Sequence, residues 1–207
     1  MNDGLAKKLH DGVGQLALKL PPGSEDALLN YLALLLKWNA AYNLTSVRDP
    51  EQMVVRHVLD SLGILPHVQG TSLIDVGTGA GLPGFVLALV RPELQVTLLD
   101  SNGKKIRFLR QAIADLGVKN AEAVHNRVEA FDKTFDMVTS RAFATLTDMV
   151  LGSAQLLKEG GEFLAMKGVR PTEEIAALPE AFIVRDVVTL QIPLLDEERH
   201  LVRLAKK

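Results

Sequence analysis

Residues 73–84 hold the pattern with the clearest chemical consequence, since an apolar strand-like run leads into closely spaced glycines and then into a helix. Gly77, Gly79 and Gly81 occupy alternate positions, and glycines at such a turn permit tight backbone angles and close approach of a ligand. The following helix begins with free N–H groups and a positive dipole end. The pattern therefore predicts a binding site for a nucleoside-containing cofactor.

Two cofactor classes fit these glycines. The spacing Gly77-x-Gly79-x-Gly81 is typical of S-adenosylmethionine sites, whereas Gly79-x-Gly81-x-x-Gly84 also satisfies the dinucleotide fingerprint. Asp100 ends the next predicted strand, where a carboxylate accepts hydrogen bonds from the ribose hydroxyls of either cofactor. The glycines alone thus leave a methyltransferase and a nicotinamide-dependent oxidoreductase open.

Three further features favour the methyltransferase. The extended runs 183–192 and 200–205 are joined by the polar turn Asp196-Glu197-Glu198 instead of a helix, which predicts a hairpin and one reversed strand. Neither Tyr31 nor Tyr42 is followed four residues later by lysine, so a Tyr-Lys hydride-transfer pair is missing. The chain has no cysteine, which excludes a thiol-based dehydrogenase.

Composition limits the remaining possibilities. The chain has no phosphate-loop, G-x-S-x-G or H-E-x-x-H motif, and its five histidines lack ligand spacing, so no metal is expected. Charges interrupt residues 1–20, and the apolar stretch 27–36 is too short to cross a bilayer. We therefore expect a cytoplasmic protein without a membrane anchor. The net charge of −2 argues against a generally basic surface, although residues 102–127 and 199–207 are locally basic.

The predicted secondary structure that must position these residues changes near residue 70, from helices alone to alternating strands and helices. Residues before it have helical periodicity, with Ser24 as the expected N-cap of one helix and Asp49-Pro50 as the start of another. After it, strands alternate with helices predicted near 82–91, 103–117, 145–158 and 172–178. The predicted strands are 72–77, 95–100, 121–126, 135–140, 161–167, 183–192 and 200–205.

This order predicts an α/β fold. We expect a Rossmann-like methyltransferase sheet of seven strands, the last one antiparallel, with helices on both faces. Residues 1–70 would form an N-terminal helical extension that caps the sheet, and residues 71–207 the S-adenosylmethionine-binding domain.

Several segments besides the glycine turn resemble one known family. Over nearly its whole length the chain resembles the bacterial ribosomal RNA small-subunit methyltransferase G family, also called glucose-inhibited division protein B. The segments that carry the resemblance are Lys37-Trp38-Asn39, Tyr42-Asn43-Leu44-Thr45-Ser46, Arg56-His57-Val58-Leu59-Asp60-Ser61, Leu98-Leu99-Asp100-Ser101, Lys104-Lys105-Ile106-Arg107-Phe108-Leu109, Ser140-Arg141-Ala142, Met166-Lys167-Gly168 and Glu198-Arg199-His200-Leu201.

The resemblance implies an activity and a set of cofactor contacts. The activity is methylation of N7 of one guanine in the decoding-region loop of 16S ribosomal RNA, with S-adenosylmethionine as cofactor and the small ribosomal subunit as partner. It also implies that Gly77 and Leu82 line the cofactor, that Val128 and Glu129 lie near the adenine, and that Arg141 forms the far wall. N7 carries a lone pair and no proton, so its methylation needs no general base, and proximity supplies much of the rate.

Three groups of residues are candidates for RNA contact, and each has a structural interpretation as well. Arg56 and His57 share a predicted helix face with Asp60. This arrangement fits RNA contact by Arg56 and His57, and it fits a surface ion pair between Arg56 and Asp60 equally well. Lys104, Lys105 and Arg107 lie at the start of a predicted helix, where the default interpretation is a solvated helix face. The third group, Lys167, Arg199 and His200, lies elsewhere and has less support.

Arg141 is the candidate catalytic residue, because it lies at the carboxyl end of a predicted strand, where α/β sheets bind ligands. It would hold either the methionine carboxylate or an RNA phosphate, and the alternative is a salt bridge within the fold. A monomer is expected. Three other functions stay open at this point: a methyltransferase of small molecules, a nicotinamide-dependent oxidoreductase, and a non-catalytic ribosome-binding module that keeps the glycine turn.

Overall fold

The structure is a computed structural model and describes residues 3–141 and 143–207. Ala142, at the end of the Ser140-Arg141-Ala142 segment, lies outside the described residues. Within the described part, seven strands form one sheet in the order β3-β2-β1-β4-β5-β7-β6. The strands are β1 Ser72–Val76, β2 Gln95–Asp100, β3 Ala121–His125, β4 Phe135–Ser140, β5 Leu157–Lys167, β6 Phe182–Thr189 and β7 His200–Lys206.

The direction of the strands confirms the predicted fold class. Strands β1 to β5 pair in parallel, whereas β7 runs antiparallel to both of its neighbours, β5 and β6. The helices are α1 Asp3–Gln15, α2 Ser24–Tyr42, α3 Pro50–Met53, α4 Asp60–Leu62, α5 Gly84–Val90, α6 Gly103–Asp115, α7 Leu146–Ser153 and α8 Thr172–Ala176. A π-helical segment, Val54–Leu59, joins α3 to α4.

Successive residues of each central strand face opposite sides of the sheet and so build two cores. In β1, Leu73 packs into a core shared with the N-terminal helices, α5 and α6, while Ile74 packs into a second core with α7. Burial on both faces explains why these strands are continuous apolar runs instead of alternating ones.

The predicted helix starts have different outcomes. Asp49 is the N-cap of α3, and its side chain accepts a hydrogen bond from the backbone N–H of Gln52 at 3.1 Å, as predicted. The prediction for Ser24 is wrong, because the N-cap of α2 is Gly23 and Ser24 is the buried first residue of the helix. The chain enters α2 with a φ of +80° at Gly23, a left-handed conformation that glycine adopts without a Cβ penalty.

The region around β5 also differs from the prediction. The helix expected over 145–158 ends at Ser153, and a 3₁₀ turn, Ala154–Leu156, leads into a strand that begins at Leu157 instead of Gly161. Gly160 has a φ of +75°, and the β4–β5 register shifts there. Glycines weaken a strand pattern and often mark such a bulge, which is why the sequence hid the first part of β5.

Candidate active site

The glycine turn connects the carboxyl end of β1 to α5 through three glycines with positive φ. The φ values are +68° at Gly77, +62° at Gly79 and +100° at Gly81, which glycine alone adopts without strain. The backbone N–H groups of Gly77 and Thr78 both donate to the Leu99 carbonyl, at 2.8 and 3.1 Å. These two bonds fix the turn against the end of β2.

Asp100, the last residue of β2, connects the turn to the next helix. Its Oδ2 accepts the N–H of Gly79 at 2.9 Å and its Oδ1 accepts the N–H of Asn102 at 2.8 Å. The Lys105 ammonium lies 3.8 Å from the same carboxylate. A carboxylate has about four acceptor positions, so Asp100 retains acceptor capacity toward ligand hydroxyls.

Asp100 faces a cavity of about 270 Å³, here called the glycine cavity. Its lining residues come from the carboxyl ends of β1, β2 and β3, and are Val76, Gly77, Leu99, Asp100, Ser101, Asn126, Arg127, Val128 and Glu129. Gly77, Asp100, Val128 and Glu129 were predicted as cofactor contacts, and the structure brings these four together. Ser101, Asn126 and Arg127 were missed, because no motif separates them from ordinary loop residues.

The other predicted cofactor residues lie outside this lining. Gly79 acts through its N–H on Asp100. Gly81 has a packing role, since a Cβ there would come within 2.8 Å of Phe85 and Leu109 atoms. Leu82 is buried in the core, and Arg141 lines a different cavity.

Two buried side chains hold the turn. Asp75 Oδ2 accepts the Thr78 hydroxyl at 2.7 Å and the Gly84 N–H at 2.8 Å. The Tyr31 hydroxyl of α2 donates to the Ala80 carbonyl at 2.8 Å. Burial raises the pKa of Tyr31 above its ordinary value, so its hydroxyl stays a donor. The N-terminal helices therefore help to shape the glycine cavity.

A second cavity of about 310 Å³, here called the cleft, opens beside the first at the same sheet edge. The Ser140 hydroxyl donates to the Val76 carbonyl at 2.7 Å and thus joins the ends of β4 and β1, which lie between the two cavities. The residues that line the cleft are Thr45, Ser46, Val47, Arg56, His57, Asp60, Arg141, Met166, Lys167, Gly168, Leu190, Arg199 and His200.

Asp60 is the buried anion of the cleft, with 4% of its surface exposed. Its Oδ2 accepts from Arg141 Nη1 at 2.9 Å and its Oδ1 accepts from Arg199 Nε at 3.1 Å. Burial raises the pKa of Asp60, and the two arginines oppose that rise. The salt bridge within the fold predicted as one role of Arg141 is therefore present, and it orients the guanidinium at the cleft.

The surface ion pair between Arg56 and Asp60 does not form, so that interpretation was wrong. Asp60 points inward, whereas the Arg56 guanidinium points outward to Glu197 and Gln52. Arg56 and Arg199 both contact Glu197, which the sequence indicated only as part of a polar turn. Hydrogen bonds from Arg56 and then Arg199 lower the pKa of Glu197 to about 2.

His57 is a neutral group in the cleft wall. Its Nε2 lies 2.9 Å from the Thr45 hydroxyl, and its buried Nδ1 has no hydrogen-bond partner among the described residues. Burial lowers the pKa of His57 to about 4, and the charges of Arg141 and Arg56 add to this effect. The imidazole is therefore uncharged at neutral pH and contributes no positive charge for a phosphate.

The remaining RNA candidates divide between side chains with partners in the fold and exposed side chains on α6. Lys167 pairs with Glu174 at 2.8 Å, and His200 is buried with its Nδ1 2.8 Å from the Gly168 carbonyl. Lys104 and Arg107 are exposed on α6, where Arg107 lines a groove with Arg110 and His125. Lys105 is half-buried beside Asp100 instead of lying on an outer face.

The described residues form neither a metal-binding cluster nor a membrane-spanning helix. No three His, Asp or Glu side chains in residues 3–141 and 143–207 are grouped so that they would hold a metal ion. No helix in the same ranges is both long and apolar enough to cross a membrane.

Comparisons with known proteins agree with this geometry. The family model for rRNA small subunit methyltransferase G matches residues 24–202. The chain is 53% identical over 203 residues to proteins named ribosomal RNA small subunit methyltransferase G from Yersinia pestis (strain Pestoides F) and Yersinia pseudotuberculosis serotype O:1b (strain IP 31758). In each case the match covers 97% of this chain and 98% of the relative.

Solved structures share the fold at low sequence identity. The mitomycin 7-O-methyltransferase MmcR has a TM-score of 0.61 at 15% identity, over 76% of this chain and 56% of its own. TrmN from Thermus thermophilus has a TM-score of 0.57 at 20% identity, over 71% of this chain and 47% of its own. TYW2 from P. horikoshii, solved in complex with MeSAdo, has a TM-score of 0.56 at 13% identity, over 72% and 61%.

Proposed function

The chain belongs to the rRNA small subunit methyltransferase G family, and on that premise we propose that it transfers the methyl group of S-adenosylmethionine to N7 of a guanine in the decoding-region loop of 16S ribosomal RNA. The observation that carries the proposal is the presence of two adjoining cavities at the carboxyl edge of one sheet. One has a carboxylate and a glycine turn suited to a nucleoside, and the other is lined by arginines. The proposed location is the cytoplasm, where this RNA is found.

The glycine cavity fits the nucleoside part of the cofactor. Asp100 would accept hydrogen bonds from the ribose hydroxyls, because Gly79 and Asn102 already fix its orientation. Val128 and Glu129 would lie against the adenine, on the side of the cavity formed after β3. When bound, S-adenosylmethionine supplies a methyl group on a positively charged sulfur.

The cleft fits a nucleophile that needs no base. Guanine N7 carries a lone pair and no proton, so the protein has only to orient it and exclude water. Burial lowers the pKa of His57 to about 4, so its imidazole is a weak base, and the Asp60 carboxylate is held by two arginines. Neither group is therefore poised as a general base at neutral pH. Because the major groove of an RNA duplex is too deep and narrow for a protein to read, the target guanine should be unpaired or swung out of its stack.

Incubation with labelled S-adenosylmethionine tests the proposal. The substrates are ribosomal RNA, small subunits and a low-mass metabolite fraction, and the modified base is then mapped. We expect label in the RNA or subunits, at N7 of one guanine. Label only in the metabolite fraction would instead identify a small-molecule methyltransferase, and RNA binding without label a non-catalytic module. Calorimetry should give heat with S-adenosylhomocysteine and none with NADH.

Arg141→Ala tests the candidate catalytic residue. We expect methyl transfer to fall by about 100-fold, the typical cost of misplaced reacting groups. The matched control is Arg185→Ala, because Arg185 lies on edge strand β6, pairs with Glu162 and lines neither cavity. Circular dichroism must show that both variants are folded. Normal turnover by folded Arg141→Ala would remove Arg141 from the mechanism.

A further inference from the structure

The Glu197 carboxylate bridges Arg56 and Arg199, two arginines that line the cleft. Arg56 contacts both of its oxygens, with Nη1 3.2 Å from Oε2 and Nη2 close to Oε1, and Arg199 Nη2 lies 2.9 Å from Oε2. Three N–H donors from two guanidinium groups therefore converge on one carboxylate. Side by side, paired donors of this kind fit the two oxygens of a phosphate as well as those of a carboxylate.

Glu197 and Asp60 hold Arg199 in different ways. Asp60 is buried and lies on α4, whereas the Glu197 side chain is 47% exposed and lies in the stretch between β6 and β7. Asp60 binds Arg199 on one oxygen and Arg141 on the other, so it would keep these two guanidinium groups in place without Glu197. Of the two carboxylates, only Glu197 can leave without uncovering a buried charge.

The charge of the cleft favours an incoming anion once Glu197 has moved. Arg56, Arg141 and Arg199 bring three positive charges, and Asp60 alone would then remain to balance them. The His57 imidazole facing the same space is neutral, and Lys167 is neutralised by Glu174. The cleft would then have a net positive charge, which attracts a phosphate. The paired donors of Arg56 and Arg199 would be available to bind that phosphate.

We propose that Arg56 and Arg199 form a phosphodiester-binding site for the RNA backbone beside the target nucleotide, and that the Glu197 carboxylate occupies this site until RNA displaces it. The inference rests on the proposed function, because it specifies which part of the RNA the cleft binds. Glu197 then acts as an internal competitor. Its removal should tighten RNA binding, although removal of a carboxylate from elsewhere on the same loop should not.

Fluorescence anisotropy with a labelled fragment of small-subunit ribosomal RNA tests this directly. We expect Glu197→Gln to lower the Kd for RNA by about 3- to 5-fold, within the range for releasing an arginine from a surface ion pair. The control is Asp196→Asn, which removes the same charge from the adjacent exposed residue, whose side chain makes no ion pair with any described residue. Its Kd should change by less than about 2-fold.

The Arg56→Ala variant shows whether the tighter RNA binding of Glu197→Gln comes from the released arginines. Arg56→Ala should weaken RNA binding, and adding Glu197→Gln to it should bring back little of the tightening. Equal Kd changes for Glu197→Gln and Asp196→Asn would overturn the inference, since the effect would then be general charge. Tighter binding of S-adenosylhomocysteine with unchanged RNA binding would also overturn it, because the anion would then be the carboxylate of the cofactor.

The same protein preparations separate this inference from the proposed function. Methyl transfer by the wild-type protein reports on the function, and the Kd difference between the two variants reports on the Glu197 site. RNA binding with the expected variant pattern but without transfer would reject the function and leave the phosphodiester site intact. Transfer without the variant pattern would do the reverse.

Discussion

Asp75 has no direct access to a ligand, yet it determines the shape of the glycine turn. It is completely buried and accepts hydrogen bonds from Thr78 and Gly84 on one oxygen, while Oδ1 has no partner in the described part of the chain. Burial raises the pKa of Asp75 to about 7. Near neutral pH this carboxyl therefore exchanges a proton inside the site.

The raised pKa gives the stability a definite pH dependence. An unfolded aspartate titrates near pH ~4, so between about pH 4 and 7 the folded protein holds a proton that the unfolded chain releases. The free energy of unfolding therefore falls as pH rises through this range. The side chain introduced in Asp75→Asn does not titrate. The unfolding free energy of this variant minus that of the wild type should therefore increase by about 2–3 kcal/mol from about pH 5 to pH 7. Urea titrations of both proteins at both pH values measure this difference, and an equal difference at the two pH values would contradict the prediction.

Tyr31 supports the turn through a hydrogen bond to the Ala80 carbonyl. Tyr31→Phe leaves the buried Ala80 carbonyl without its donor, so we expect a loss of about 1–2 kcal/mol in unfolding free energy and weaker binding of S-adenosylhomocysteine. Tyr42→Phe is the control, because its hydroxyl bonds to no described residue, and its effect should stay within about 0.5 kcal/mol. Similar losses in the two variants would show that the Tyr31 hydrogen bond is unimportant.

Individual site residues were predictable where they stand next to a pattern in the sequence. Asp100 was found because it ends a strand, and Val128 and Glu129 only through the family resemblance. Glu197 was missed because it pairs with Arg56 across 141 positions, and its own neighbours form an ordinary polar turn. Contacts between residues so far apart in the sequence depend on the order of the strands in the sheet, and local periodicity does not specify that order.

At the level of elements, α5 packs against the sheet at Gly84. A Cβ on Gly84 would lie 2.7 Å from both Asp75 Cβ and Leu98 Cδ2, so the start of the helix needs glycine for its approach. Gly84→Ala should cost about 1–3 kcal/mol through overpacking. Gly152→Ala in α7 is the control, since its Cβ would meet Phe143 at an ordinary 3.5 Å and should stabilise the helix by about 0.5–1 kcal/mol. Thermal unfolding of both variants should give shifts of opposite sign, and equal shifts would refute this account.

Element types were predicted well, and local helix geometry was not. Apolar runs placed six strands to within a few residues of their bounds, because both faces of the sheet are buried. The same helical pattern after Asp49 gave no sign of the π-helical segment Val54–Leu59, which carries Arg56 and His57 to the cleft. Apolar pairs such as Val54-Val55 and Val58-Leu59 suit a wider turn as well as an α-helical one.

On the scale of the whole molecule, the N-terminal helices and the sheet share one core. Tyr31 of α2 contacts Phe85 of α5 and Phe108 of α6, with ring centroids 5.3 and 6.3 Å apart. The division at residue 70 remains a prediction about domains. It marks the change from helices to alternating elements, and the core runs across it.

A fragment of residues 71–207 tests whether the second part folds alone. Without α2, the apolar faces of α5 and α6 would be uncovered, and we expect the fragment to lack a cooperative thermal transition. Scanning calorimetry beside the full chain measures this. A sharp transition in the fragment would establish residues 71–207 as an independent domain.

The place of β7 between β5 and β6 has a consequence for biosynthesis. Both neighbours precede β7 along the chain, and in the finished sheet neither pairs with the other. While the polypeptide is still being made, β5 therefore has one open edge and β6 has no partner until residues 200–206 emerge. Unpaired strand edges favour pairing between chains. Nascent protein should thus be most prone to self-association, and most dependent on chaperones, in the interval just before this strand inserts.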